Sequence, residues 1–120
     1  MHIKNLERDN LKYEYDLYAQ RNFPWKGVVN PPFGGAWCVL PPNQQSSPHN
    51  HDEKEVFIIV KGVGKAQSGD EYKEVKEGDT VYFTPFTEHS ITNIGEQDLE
   101  FVSIWWDGSA QEENSSEFHI

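Results

Sequence analysis

Short runs of β-branched and aromatic residues, each closed by a turn signal, recur along most of the chain. Ala36 to Leu40 is the first credible strand, and Glu55 to Val60 is a second, closed by Lys61-Gly62. Gly69-Asp70 reads as a hairpin turn with a strand on either side. Thr80 to Thr84, Ser90 to Asn93 and Leu99 to Trp106 repeat the pattern, with turns at Glu77-Gly78-Asp79 and Ile94-Gly95-Glu96. Regularly spaced short strands joined by glycine turns predict an antiparallel sandwich or barrel. Residues 24–48 hold six of the seven prolines together with Gly34 and Gly35, which forbids long helices and forces short extended pieces. The stretch from His2 to Phe23 fits neither a helical nor a strand period, and an irregular arm with one short helical turn is expected there. Beyond Trp106 the aliphatic residues give way to Ser, Glu, Asn and Gln, the composition of a solvated tail. The expected organisation is an N-terminal arm over 1–23, a barrel over 24–107 and a flexible acidic tail over 108–120.

At 120 residues the chain suits one domain with a modest core. Ten basic against twenty acidic residues give a formal charge of −10, a field that repels a phosphate backbone, so no nucleic-acid partner is expected. The longest apolar run, Val56 to Val60, is far below the roughly 18 residues of a membrane span, so no membrane association is expected either. Cys38 is the single cysteine and has no partner for an internal disulfide, and no basic-then-apolar leader precedes Leu6. The expected compartment is the cytoplasm. On a mainly apolar strand, with no cation beside it in sequence, Cys38 reads as a small buried hydrophobe.

The chemistry concentrates in Pro48 to Glu55. In an extended segment alternate side chains share a face, so His49 and His51 project together, and Glu55 joins them provided the intervening turn keeps parity. Two imidazoles and a carboxylate suit divalent ions that prefer nitrogen and oxygen donors, and they leave positions open for water or substrate. A fourth donor has to come from elsewhere, and His89, after the Pro85-Phe86 bend and before a strand, is the candidate. Asp52 and Glu53 belong to a charge run and are expected on a solvated turn, leaving Glu55 as the carboxylate ligand.

These residues resemble the two motifs of the cupin superfamily. Its first motif is a glycine, five residues, His-x-His, three or four residues, Glu, six residues and a glycine. His49, His51, Glu55 and Gly62 match, while Asn43 stands where the first glycine belongs. The second motif is a glycine, five residues, Pro-x-Gly, two residues, His, three residues and Asn. Gly78, His89 and Asn93 match in register, whereas Thr84 and Phe86 occupy the Pro and Gly positions, with Pro85 between them. The resemblance covers roughly residues 43–93. It implies an all-β fold, an antiparallel double-stranded β-helix (a cupin or jelly-roll barrel), and one divalent metal ion held by His49, His51, Glu55 and His89. The ion is Fe, Mn, Ni, Cu or Zn, since such ligands accept all of them.

The fold hosts oxygenases, decarboxylases, isomerases, lyases and binding modules, so the site has to decide. The leading expectation is a metal-dependent enzyme acting on a small polar substrate, with the ion activating dioxygen or serving as a Lewis acid and Glu55 available as a base. A non-catalytic module that binds a small molecule or metal is the competing class. Pro31 to Trp37, Pro85 to His89 and Val102 to Asp107 also look like stretches of the cupins of hydrazine-forming biosynthetic enzymes. That narrower resemblance implies a zinc site rearranging a hydroxylamine–amino-acid ester to an N–N bond. Trp37, Gln45, Tyr82, Phe86 and Trp105 are the expected substrate-pocket residues, with Phe86 narrowing the mouth. A homodimer is expected, because pairing covers edge strands that otherwise invite aggregation.

Overall fold

The computed structural model describes residues 1–48 and 52–107, without the Asp107 side chain. Among the described residues nine strands form two sheets: β1 (Lys12–Glu14), β2 (Leu17–Phe23), β3 (Gly34–Leu40), β4 (Glu53–Lys61), β5 (Val63–Ser68), β6 (Glu71–Lys76), β7 (Thr80–Phe83), β8 (His89–Asn93) and β9 (Leu99–Asp107). One sheet has six strands in the order β1-β2-β3-β9-β4-β7, the other three in the order β6-β5-β8. Every pairing is antiparallel. No helix among the described residues is long and apolar enough to cross a membrane.

The strands expected from the residue pattern all form, with ends shifted by a residue or two. The N-terminal stretch differs. It contributes β1 and β2, and β2 pairs with β3 through Tyr18↔Val39, Ala19↔Cys38 and Gln20↔Trp37. Only Leu17 and Ala19 of β2 are buried apolar residues, too few to reveal a two-residue period beneath the charges. A single 3₁₀ turn, Arg8–Asn10, precedes the strands.

That turn is held by a buried charge. Glu100 alternates outward on β9, yet its side chain is only 3% exposed, because Arg8 closes over it with bonds of 3.0 and 3.2 Å. Trp37 Nε1 donates to the same carboxylate at 2.9 Å. Desolvation pushes the Glu100 carboxyl up, but the hydrogen bonds from Arg8 and Trp37 and the charges of Arg8 and Lys61 outweigh it and hold it below its ordinary value. A depressed folded-state value means the ionised form's stabilisation is present above the ordinary carboxylate range of about 4.3 and is lost as pH falls through the lower value. The stability gap between wild type and Glu100→Gln in urea denaturation should therefore narrow from about pH 6 to about pH 3. A constant gap across that range would contradict this role.

Inward residues of the large sheet form register rows that change character along the barrel. Leu40 faces Leu99, and Cys38, Phe101 and Ile59 form the next row. Phe57 packs against Phe101 and Phe83 with ring centroids 4.4 and 4.9 Å apart. Fully buried side chains such as Phe101 each contribute about 1.5–3 kcal/mol. The following rows are Ala36, Ser103 and Phe57, then Gly34, Trp105 and Glu55. One end of the barrel is thus a sealed apolar core, and polar groups gather at the other.

Two departures from the glycine pattern of the motifs have a conformational explanation. Asn43 and Phe86 replace glycines yet both adopt positive φ, +64° and +67°. Asn tolerates the left-handed region comparatively well, whereas Phe86 does so at a cost of about 1–2 kcal/mol. The bends keep their shape.

Candidate metal centre

Glu55 sits at the third position of β4, and His89 opens β8 on the opposing sheet. The two are 34 residues apart in the chain, yet His89 Nε2 lies 2.8 Å from Glu55 Oε1. Both are buried, His89 at 2% exposure. The imidazole stacks on Phe83, centroids 4.3 Å apart and planes 14° apart, and meets the edge of Phe57. These rings fix its plane.

The remaining contacts set the chemistry of the pair. His89 Nδ1 lies 3.2 Å from the Thr87 carbonyl and Nε2 lies 2.8 Å from the Glu55 carboxylate, and both oxygens accept, so with a hydrogen on Nδ1 the Nε2 lone pair is directed at Glu55 and is available to a cation. Ser103 donates its hydroxyl to Glu55 Oε2 at 2.5 Å, which fixes that carboxylate from its far side. An imidazole whose outer N–H is held by a backbone carbonyl, beside an oriented carboxylate, is the arrangement that metal-ligating side chains adopt. His49 and His51 lie outside the described residues. Among the described residues no cluster of three or more potential ligands forms, Glu55 and His89 being the expected ligands that they contain.

The pair opens into a cavity of about 170 Å³ between the sheets. That is below the roughly 300–1,000 Å³ of pockets for drug-sized ligands, so it suits a small molecule. Phe57, Phe101, Leu17 and Ala19 form its apolar wall, and Trp105 lines it as expected from the sequence. The other four anticipated pocket residues lie off the wall. Trp37 alternates to the outer face of β3, where it serves Glu100. Gln45 bonds Ser90 Oγ at 3.1 Å from outside, and its neighbour Ser46 lines the cavity instead. Tyr82 stacks on Trp106 on the outer face of the sheet, 6.3 Å between centroids. Phe86 is 73% exposed, because the left-handed bend turns it outward.

Several cavity residues carried no motif. Glu53 was expected on a solvated turn, but β4 begins there, so Glu53 shares the inward face of Glu55 and Phe57. Arg21, Glu14 and Tyr15 reach the cavity from the β1–β2 hairpin. The strand parity of Leu17, Ala19 and Arg21 is the signal that places Arg21 on the inward side. Cys38 lines the cavity floor, and burial followed by the nearby Glu55 and Glu14 charges pushes its thiol far up, so it is no nucleophile.

The family model described as "Cupin domain" matches residues 36–105, more than half of the chain. The chain belongs to the cupin family. Two solved structures resemble this cupin over nearly its whole length. The Cupin 2 conserved barrel domain protein of Salinispora arenicola CNS-205 is 33% identical, covers 98% of each chain and superposes with a TM-score of 0.84. The plu4264 protein of Photorhabdus luminescens is 36% identical over 96% of this cupin and 95% of that chain, also with a TM-score of 0.84. The Oxalate-binding protein of Thermotoga maritima is 33% identical over 66 residues, 54% of each sequence. The cupin spans about half the length of the curated relatives it matches. Its two antiparallel sheets are the double-stranded β-helix of the family.

Proposed function

We propose that this cupin is a metal-dependent enzyme in which one divalent ion, held by His49, His51, Glu55 and His89, acts on a small oxygen-rich substrate in the 170 Å³ cavity. The observation that carries this reading is the 2.8 Å approach of His89 Nε2 to Glu55 Oε1. The Thr87 carbonyl oxygen and Glu55 Oε1 both accept, and a neutral imidazole has one hydrogen for the two of them. A proton satisfies the Nε2–Oε1 contact when no ion is bound, and a divalent cation taking that proton's place would bind both donors. The donors, imidazole nitrogen and carboxylate oxygen, suit Fe, Mn, Ni, Cu or Zn.

When bound, the ion would polarise a coordinated oxygen as a Lewis acid or support dioxygen chemistry. The chain's own residues do the rest. Ser103 holds Glu55 in one orientation, Phe83 and Phe57 hold the His89 ring, and the apolar wall limits bulk water around the reacting group. Glu55, with one oxygen restrained by Ser103, is the candidate base. The name of the Thermotoga relative favours a small carboxylate as ligand, and equally supports a second reading in which the barrel binds such a molecule without turning it over.

Elemental analysis of protein purified without added metal should find close to one divalent ion per chain. Chelation should remove the ion and abolish turnover or ligand binding while the β-sheet circular dichroism persists, because the apolar rows around Phe101 stand without it. A protein that carries no ion, and takes up none when offered manganese, iron or zinc, refutes the metal. Metal-dependent binding with no chemistry toward any carboxylate, aerobically or anaerobically, selects the second reading.

A further inference from the structure

Arg21 is the basic side chain on the cavity wall among the described residues, and the surrounding strands hold it there by three separate means. Its register row runs Arg21↔Ala36 and Ala36↔Ser103, so it stands two strands, roughly 10 Å, from the serine that holds Glu55. The residue between them is alanine, which leaves the intervening space open. The guanidinium lies over the Trp105 ring, 5.6 Å from its centroid, within cation–π range. Trp105 can lie there because Gly34, its register partner, has no side chain, and a Cβ at that position would fall inside the indole. Glu14 takes the Nε and Nη2 edge of the fork, at 2.5–3.3 Å. The guanidinium's side chain is 49% exposed, which puts it at the mouth.

We infer that Arg21 is the second anchor of the substrate, binding a carboxylate whose other end reaches the metal centre, and that Glu14 holds the fork in place until that carboxylate arrives. This rests on the metal reading for the far end of the ligand. Planar bidentate donors match a carboxylate, and a pre-placed fork loses little freedom on binding. Gly34 and Trp105 are positioning residues, acting through Arg21. The substrate class is a small molecule with at least two oxygen-bearing groups, one of them an ionised carboxylate, short enough to span from Arg21 to Glu55.

Calorimetric titration with malonate, and with malonamide as its uncharged counterpart, tests this on metal-loaded protein. Wild type should prefer malonate. Arg21→Gln should weaken malonate about tenfold or more, leaving malonamide binding and metal content unchanged. Glu14→Gln, which removes the competing carboxylate, should tighten malonate. Trp105→Ala should lose the charge preference and Trp105→Phe should keep most of it, a contrast that a purely structural role would not produce. Malonate binding to Arg21→Gln at wild-type affinity, with the ion retained, overturns the anchor and leaves the metal reading standing. Titrations of chelated protein separate the converse case. An Arg21-dependent preference for malonate without any ion sustains the anchor and discards the metal, whereas no malonate binding in either state overturns the anchor.

Discussion

Replacing His89 by alanine is expected to strip the divalent ion from the protein while the barrel stays folded. The imidazole is a proposed ligand, oriented by Thr87 behind it and by Phe83 and Phe57 around it. Loss of a ligand should lower affinity by more than the roughly 10- to 100-fold associated with removing a partner behind one. The substitution also empties part of a packed layer, at about 2–4 kcal/mol, which a barrel with a separate apolar end can absorb. Elemental analysis and far-ultraviolet circular dichroism on the same sample give both readouts. Stoichiometric metal in folded His89→Ala would remove His89 from the ligand set. Ser103→Ala makes a graded comparison, since it frees Glu55 Oε2 without deleting a donor, and its loss should stay within the 10- to 100-fold range.

The strands from Ala36 onward were legible from β-branched and aromatic runs bounded by turn signals, reinforced on β4 by the alternation of Glu55, Phe57 and Ile59. Motif spacing alone singled out Glu55 and His89 together, and the fold brings them within contact distance across the two sheets. The N-terminal strands were hidden because β1 and β2 lie at the edge of the large sheet, where most side chains face solvent and apolar alternation is not enforced. Trp105 lines the cavity, and the other four expected pocket residues lie off its wall for a related reason. Trp37 and Tyr82 have outward parity on their strands, and parity rather than side-chain chemistry decides which face a residue meets. Glu53 has inward parity but sits in a charge run that points to a solvated turn, and Arg21 has inward parity within a stretch whose charges mask any period. A polar residue in phase with buried neighbours is the signal of a functional wall, because burying it has a cost that the site must offset.

Asn93→Asp should destabilise the barrel severely although it changes no heavy-atom shape. Asn93 is 1% exposed and acts as a clasp between segments distant in sequence. Its Nδ2 donates to the carbonyls of Leu40 and Gln97, both at 2.8 Å, and its Oδ1 accepts the Gly95 N–H at 2.8 Å. The side chain thereby joins the end of β3 to the β8–β9 turn, next to the sealed apolar rows. An aspartate keeps the acceptor facing Gly95 but turns the two donors into an acceptor, so two carbonyls lose their partner and face a carboxylate oxygen. Each unsatisfied buried group costs about 1–3 kcal/mol, and an unpaired buried charge adds to that, so a loss of about 3–5 kcal/mol is expected at neutral pH. The sign of its pH dependence follows. Burial and the facing carbonyls favour the neutral acid, so the folded-state value lies above the unfolded one of about 3.9, and the variant regains stability as pH falls through it. Wild type, with its Glu100 clasp weakening in acid, should move the opposite way over the same range. Urea denaturation of both proteins across that range measures the two slopes, and an Asn93→Asp protein as stable as wild type at neutral pH would show that the clasp is dispensable.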